Sequence, residues 1–299
     1  MSKVGVYGKV ASQADFLRVN AGAFAQAGLD RWIAEGLEMI RAERTALPAG
    51  PISFLIAAPG APALIGAFAP AADAAGRASV LAVFVELVRE GLADRLSSLP
   101  ATYAYFINAA GALAGSSATH DGAAIAAGAQ QLESILPDEG PGGADGLAGE
   151  TVSSLIEAMG GGQPALAYAC RTLVAACDQA AKAGEGRGGI TVDAPAPSPM
   201  AQQLWLAIAR ERLGWRDSVP ALMWTDGPDG RLLMTLGPPA GSALAFLANP
   251  RHRSNRFWPM RTDVATAVQE AVGALSAQQR AVTGDPGASL AELAAAFAR

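Results

Sequence analysis

The sequence contains few of the residues that metal sites and disulfide frameworks require. Only two cysteines and two histidines occur among its 299 residues, and His120 and His252 have no ligand-like spacing to each other or to the cysteines. Cys170 and Cys177 lie seven positions apart in a helical pattern, which predicts two half-buried thiols on one helix face. We therefore expect no metal, no cofactor, and a reducing compartment for this protein.

Charged residues are also scarce, at 16% of the chain, and the formal net charge is −5. A protein that binds nucleic acid nonspecifically needs clustered cations, so this balance predicts no nucleic-acid partner. The hydrophobic fraction is 51%, which excludes a mostly disordered chain because so much apolar surface favours a packed core.

No segment has the uninterrupted apolar character of a membrane helix. The first residues lack the apolar core of a signal peptide. The uncharged stretch 51–72 is long enough to span a bilayer, but Pro59, Pro62 and Pro70 interrupt it, and each proline removes a backbone donor. Two buried strands joined by a turn explain this stretch better, and we expect a cytoplasmic protein with no membrane insertion.

The first third of the chain has the patterns of strands and one amphipathic helix. Apolar residues recur at helical spacing from Leu29 to Ile40, and a strand is predicted over 3–10. Short apolar runs at 52–58, 63–68 and 77–87 predict three more strands. Because their connections are short, these three strands must be antiparallel neighbours.

The middle of the chain is predicted to be helical. Apolar side chains share one face over 152–159, and the pattern continues over 163–183. Two segments rich in glycine and proline, near 137–149 and 184–199, interrupt this part of the chain and are predicted to be mobile surface loops.

The last third returns to strands and helices. Apolar runs at 220–224 and 231–236 flank an Asp-Gly-rich turn, which predicts a hairpin, and Ser289 with Glu292 predicts a capping box. The expected fold class is α/β (α+β), with a mixed, largely antiparallel sheet covered by helices on its faces and a helical middle segment. We predict a single domain over 1–299, with a division into two domains at the proline-rich linker as the alternative.

One short segment contains the residue types of a catalytic triad. Ser116, Ser117, His120 and Asp121 lie within six residues, whereas triad members normally come from distant parts of a sequence. Capping of the following helix by Ser117 or Thr119 is the simpler interpretation. We therefore predict no catalytic residues and no enzymatic activity, with a Ser/His hydrolase as an alternative.

One segment near the carboxyl end concentrates cations and aromatics, and no acidic residue occurs from Leu236 through Thr262. Arginine side chains suit carboxylate or phosphate groups, and aromatic side chains anchor interfaces. The segment is a candidate site for an acidic protein surface, a phosphopeptide or another anionic ligand, with a solvated loop as the alternative. Its candidate residues are Arg251, Arg253, Arg256, Phe257 and Trp258.

Several short motifs resemble those of the TagF family, whose members are regulators of bacterial type VI secretion systems. The opening motifs are Val6-Tyr7-Gly8-Lys9, Asp15-Phe16 and Asp30-Arg31-Trp32-Ile33. The second block is Ile52-Ser53-Phe54 followed by Pro70, Asp73, Gly76 and Arg77. The late motifs are Ala221 through Gly227 and Leu236-Gly237-Pro238-Pro239 with Phe246. Residues 100 to 200, roughly, lie outside the resemblance.

The resemblance implies a non-enzymatic, post-translational repressor that binds the forkhead-associated scaffold protein of the secretion system. Stoichiometric binding of this kind requires a surface and no active site. The sequence departs from the family pattern at the turn of the second block. Ala72 replaces the usual serine, and Ala78-Ser79-Val80-Leu81 replaces an aromatic-Pro-Leu run.

Four charged residues of these motifs lie at strand ends and turns beside apolar runs: Lys9, Asp15, Asp73 and Arg77. Unpaired burial of such groups would be costly. We predict that at least one of the two acids pairs with one of the two cations, in a polar cluster that is either structural or partner-binding. Three neighbouring aromatic residues are predicted to be core anchors: Tyr7, Phe16 and Trp32.

Overall fold

In the described residues, nine strands form one continuous sheet. The structure is a computed structural model that describes residues 3–58, 60–137, 146–183, 189–215, 219–237, 240–252 and 254–298. The strand order is β2-β1-β5-β4-β3-β7-β8-β6-β9, and every neighbouring pair is antiparallel except β6 and β9. The strands are β1 (Gly5–Gly8), β2 (Leu17–Val19), β3 (Ile52–Ile56), β4 (Ala63–Ala72), β5 (Ala78–Leu87), β6 (Ile190–Pro195), β7 (Ala221–Thr225), β8 (Arg231–Leu236) and β9 (Phe257–Pro259).

Helices cover both faces of this sheet, so the α/β class with a mixed, largely antiparallel sheet is confirmed. The described part of the chain contains thirteen α-helices. They are α1 (Gly22–Gln26), α2 (Leu29–Ala42), α3 (Leu92–Arg95), α4 (Leu99–Thr102), α5 (Ala104–Gly115), α6 (Gly122–Leu132), α7 (Val152–Met159), α8 (Gly162–Ala183), α9 (Pro199–Leu213), α10 (Ser242–Ala248), α11 (Ala265–Gly273), α12 (Ala277–Gly284) and α13 (Leu290–Ala298). The helical middle segment is α3 to α8.

The central strands are apolar throughout because both of their faces are buried. Along β4, Ile65 and Ala67 belong to the core beneath α5, α8 and α9, while Leu64 and Phe68 belong to the core beneath α2 and α10. Such strands read as continuous apolar runs rather than as alternating patterns. This arrangement explains the uncharged stretch 51–72, which forms β3 and β4 as predicted.

The three predicted antiparallel neighbours are confirmed. In the register of β3 and β4, Ile52 lies opposite Phe68, and β4 pairs with β5 along its whole length. The predicted hairpin is the β7–β8 pair, and α2 begins at Leu29 as the helical spacing indicates. The capping box is also present, since Ser289 Oγ accepts from the Glu292 backbone N–H at 3.2 Å.

The prediction of a loop over 184–199 is wrong for part of that segment. Residues 190–195 form β6, which lies between β8 and β9. The β-branched run that opens this strand favours extended backbone, but the three prolines that begin at its last residue dominate the composition of the segment. Residues 184–188 lie outside the described residues. In the other predicted loop, 146–149 form a 3₁₀ helix, and 138–145 lie outside the described residues.

Within the described ranges, no helix is both long enough and apolar enough to cross a membrane.

Candidate partner-binding site

Asp73 organises the turn between β4 and β5. Its Oδ1 accepts hydrogen bonds from the backbone N–H groups of Ala75 at 3.0 Å and Arg77 at 2.9 Å. The turn closes with a hydrogen bond from Gly76 N–H to the Asp73 carbonyl, and Gly76 adopts a left-handed φ of 75°. Glycine suits this position because it has no Cβ to strain. The aspartate and the glycine of the second motif block therefore build one turn.

The second oxygen of the buried Asp73 carboxylate binds two cations. Asp73 Oδ2 lies 2.6 Å from Arg77 Nε and 3.2 Å from Lys9 Nζ, so the predicted pairing of acid with cation is confirmed. The Arg77 backbone N–H is the main group that holds the pKa of the Asp73 carboxyl well below its usual range. Burial opposes this shift, and the Arg77 and Lys9 side chains add to it.

The same two cations hold the loop that follows β1. Lys9 Nζ donates to the Ala14 carbonyl at 2.7 Å, and an Arg77 Nη donates to the same oxygen at 3.2 Å. The Ala74 N–H also donates to the Gln13 carbonyl at 3.0 Å. The loop 11–16 is therefore bound to the 73–77 turn by backbone and side-chain donors together.

The aromatic residue of the Asp-Phe motif lies on the outside of this cluster. Phe16 is 39% exposed, so its predicted core position is wrong, whereas Tyr7 and Trp32 are buried as predicted. The Phe16 ring stacks on Tyr7 with 5.2 Å between centroids, and Lys9 Nζ lies 4.3 Å from the Phe16 centroid. The neighbouring sheet face is already filled by Tyr7 stacked on Phe24, so the Phe16 ring remains outside.

The Tyr7 hydroxyl is affected by burial and by two charged residues near the cluster, Asp30 and Arg18. Burial and then the negative charge of Asp30 raise the pKa of the Tyr7 hydroxyl, while the nearby Arg18 lowers it. Arg18 also lies over the Tyr7 ring, with 5.8 Å between its guanidinium carbon and the centroid.

Three of the four predicted charged residues come together, and the fourth does not. Asp15 is exposed and makes no ion pair with any other described residue. Arg77 is 66% exposed even though its Nε binds Asp73. We call the exposed outer face formed by Asp15, Phe16 and Arg77 the loop–turn surface.

The predicted basic and aromatic segment is only partly at the surface. Phe257 begins β9 and is buried against Phe246, with 4.6 Å between ring centroids, so its predicted role at a surface is wrong. A strand at this position places alternate side chains in the core. Arg251 and Arg256 are exposed, Trp258 is half-buried, and Arg253 lies outside the described residues.

The candidate catalytic segment makes helix-capping contacts. Asp121 caps α6 by accepting from the Ala124 N–H at 2.8 Å, whereas the sequence suggested Ser117 or Thr119 for that role. The His120 ring lies 3.1 Å from Thr119 Oγ1. Among the described residues, the hydrogen bond between these serines and His120 is a backbone one, from the His120 N–H to the Ser116 carbonyl at 3.0 Å, and neither serine hydroxyl bonds to the ring.

The two cysteines are free and fully buried, deeper than the half-buried position predicted for them. Burial raises the pKa of the Cys177 thiol to about 12 and raises the pKa of the Cys170 thiol as well. In the described part of the chain, no group of three or more His, Cys, Asp or Glu residues could hold a metal ion.

A second buried ion pair was not foreseen from the sequence. Asp193 of β6 accepts from Arg231 Nε at 3.0 Å and from Arg231 Nη2 at 2.8 Å. The same guanidinium donates to the carbonyls of Leu247 at 2.9 Å and Phe246 at 3.1 Å, which connects the sheet to α10. If β6 had been predicted, Asp193 inside it would have indicated a buried cationic partner. The proline-rich composition of the segment led to the prediction of a loop instead.

Residues 5–135 match the model of a domain that is associated with type VI secretion systems. That model describes the TagF N-terminal domain, so the resemblance of the opening motifs to the TagF family is confirmed over this range. The matched range contains the whole of the Lys9, Asp73 and Arg77 cluster and the loop–turn surface.

One solved structure with a similar chain is the crystal structure of PA0076 from Pseudomonas aeruginosa PAO1 at 2.05 Å resolution. The TM-score is 0.47 and the sequence identity 19%, over 84% of this chain and 96% of that chain. No curated protein is significantly similar to this chain.

Proposed function

We propose that this protein is a non-enzymatic repressor of a type VI secretion system that acts in the cytoplasm by binding the system's forkhead-associated scaffold protein. The observation that carries this proposal is the TagF N-terminal domain over residues 5–135. The motifs of that domain meet in one cluster that leaves a charged and aromatic surface outside. Repression by sequestration requires such a surface and no active site.

The loop–turn surface has the properties of a preorganised binding site. Phe16 supplies an exposed aromatic ring, and Arg77 supplies a guanidinium group with free donors beside it. Aromatic and arginine side chains are enriched among the residues that dominate binding energy. Because Lys9 and Asp73 already hold the loop and the turn together, binding loses little conformational entropy at this site.

The first experiment measures complex formation with the forkhead-associated protein of the same gene cluster. We expect the two purified proteins to form a stable complex in size-exclusion chromatography, and we expect deletion of this protein to increase secretion. Absence of a complex together with unchanged secretion would contradict the proposal.

Substitutions then locate the interface. Phe16→Ala and Arg77→Ala are each expected to weaken binding about tenfold or more, as for central interface residues, in calorimetric titrations. Tyr105→Ala is the matched control, because this exposed aromatic lies on α5 and outside the loop–turn surface. Equal weakening by the Tyr105 variant would place the interface elsewhere.

A second candidate function is binding of an anionic peptide through the carboxyl-terminal arginines. The observation that favours it is the exposure of Arg251 and Arg256 in a stretch without acids. Calorimetry with a phosphorylated peptide at low and high salt tests it, because salt screens exposed charges. Binding that survives Arg251→Ala and Arg256→Ala together would contradict this candidate.

A further inference from the structure

A cleft opens at the end of β7, between the β7–β8 turn and the helices α5 and α9. It consists of two adjacent cavities of about 340 and 280 Å³, which share Ile107, Asn108 and Asp226 in their walls. Ligand pockets typically have volumes of roughly 300–1,000 Å³, so each cavity can hold a small group. The cleft shares no residue with the loop–turn surface.

Two buried polar side chains line this cleft without a hydrogen bond to another described residue. Ser53 of β3 is 4% exposed and lines the first cavity, and Gln202 of α9 is 2% exposed and lines the second. Neither side chain makes a hydrogen bond to any other described residue. Buried polar groups are normally hydrogen-bonded, so these two side chains offer unused donors and acceptors to a group that enters the cleft.

The charges of the residues that line the cleft favour a cationic ligand. Asp226 lines both cavities at an exposed position of the β7–β8 turn and makes no ion pair with any other described residue, and partial burial raises the pKa of its carboxyl. The described residues that line the cleft include no lysine, arginine or histidine. A carboxylate at the mouth of a cleft without cations is open to a charge-assisted hydrogen bond from a cationic ligand.

We propose that this cleft binds an organic cation with several N–H donors, and that a guanidinium group is the best match. A guanidinium presents five donors in a plane and binds a carboxylate through two of them. It would pair with Asp226 and donate to the amide oxygens of Asn108 and Gln202. The apolar walls at Pro51 and Ile107 suit the methylene groups of such a ligand.

The cleft joins two parts of the chain, which gives ligand binding a measurable consequence. Its walls come from β3 and α5, which lie within residues 5–135, and from β7 and α9, which follow that range. A ligand that contacts both parts stabilises the folded protein by mass action. This inference goes beyond the proposed repressor function and does not depend on it.

The experiment uses calorimetry and thermal unfolding of the full-length protein with three probes. Agmatine represents a free guanidino compound, N-acetyl-arginine amide represents an arginine side chain of a protein, and N-acetyl-norleucine amide is the uncharged control. We expect saturable binding and a higher unfolding temperature with at least one guanidinium probe, and the stronger of the two identifies the source. Binding of neither guanidinium probe, or equal binding of the norleucine probe, would overturn the proposal.

Substitutions confine the binding to the cleft. Asp226→Asn is expected to weaken binding of the better probe at least about tenfold, because it removes the charge-assisted pair. Asp229→Asn removes the same charge from an exposed position of the same turn that does not line the cleft, and it should leave binding unchanged. Equal weakening by both variants would mean general attraction to the turn, which contradicts the proposal.

A third variant separates binding from folding. Gln202→Met preserves the size of a buried side chain that makes no hydrogen bond within the described part of the chain. The variant should therefore retain the unfolding temperature of the free protein while binding of the guanidinium probe becomes weaker. Unchanged binding by this variant would count against the cleft. Capture of the forkhead-associated protein should be normal in all of these variants, so a failure here is distinguishable from a failure of the repressor proposal.

Discussion

The sheet buries one aspartate in each of its halves, and the two differ in what surrounds them. Asp73 receives two hydrogen bonds from the backbone of its own turn, and its arginine partner Arg77 is 66% exposed. Asp193 faces an arginine from another strand, and that partner, Arg231, is only 15% exposed. Every nitrogen of the Arg231 guanidinium donates to the protein.

The Asp193–Arg231 pair is therefore a structural ion pair, whereas the Asp73–Arg77 pair leaves arginine donors exposed for a binding partner. The Arg231 donors are used between β6, β8 and α10, so the pair fixes long-range packing. The Arg77 side chain contributes less than the backbone donors of the turn to stabilising the Asp73 carboxylate. Arg77 can therefore offer its remaining donors to a partner while it stays in position.

The largest expected effect comes from breaking the more deeply enclosed pair. Asp193→Ala leaves the Arg231 guanidinium without its carboxylate, which should lower the free energy of unfolding by about 3–5 kcal/mol, as measured by urea denaturation. Asp94→Ala is the control, because Asp94 forms an exposed pair with Arg210 that should contribute only about 0–1 kcal/mol. Similar losses in the two variants would remove the distinction between buried and exposed pairs.

The next effect depends on pH. The pKa of the Asp73 carboxyl is depressed in the folded protein, so its stabilising contribution is present above the unfolded pKa of about 3.9. That contribution is lost as the pH falls toward the folded pKa. Urea denaturation should therefore show Asp73→Asn to be less stable than the unsubstituted protein at pH 7, with the difference shrinking below about pH 4. A difference that is as large at pH 3 as at pH 7 would contradict this assignment.

The smallest effect is expected at the exposed arginine. Arg77→Ala should lower the free energy of unfolding by no more than about 1 kcal/mol, because a pair with an exposed partner contributes little. Arg231→Ala, by comparison, leaves Asp193 enclosed without a cation and should cost about 3–5 kcal/mol. The comparison fails if denaturation ranks the two arginine variants in the opposite order.

The sequence predicts the elements whose signals are local. The three antiparallel neighbours β3 to β5 follow from short connections, the β7–β8 hairpin follows from its turn, and α2 follows from helical spacing. From their positions beside apolar runs, at least one of Asp15 and Asp73 was predicted to pair with Lys9 or Arg77, and Asp73 does so. For the strands, the hairpin and α2, neighbouring residues in the chain carry the information.

The features that were missed depend on distant parts of the chain. Phe16 stays outside because Tyr7 and Phe24 fill the face beside it, and Phe257 is buried because β9 adds to β6. The unpartnered polar groups at Ser53 and Gln202 come from segments far apart in the sequence. No spacing within one segment could have brought them together.

The antiparallel pairing of β3 with β7 determines whether residues 5–135 could be stable without the rest of the chain. Within residues 5–135, β3 pairs with β4 on one side only, and its other side is completed by β7 from the later part of the chain. A fragment that ended at residue 135 would expose an apolar strand with unpaired backbone groups, which is a template for aggregation. In this protein, β7 covers that edge by pairing with β3.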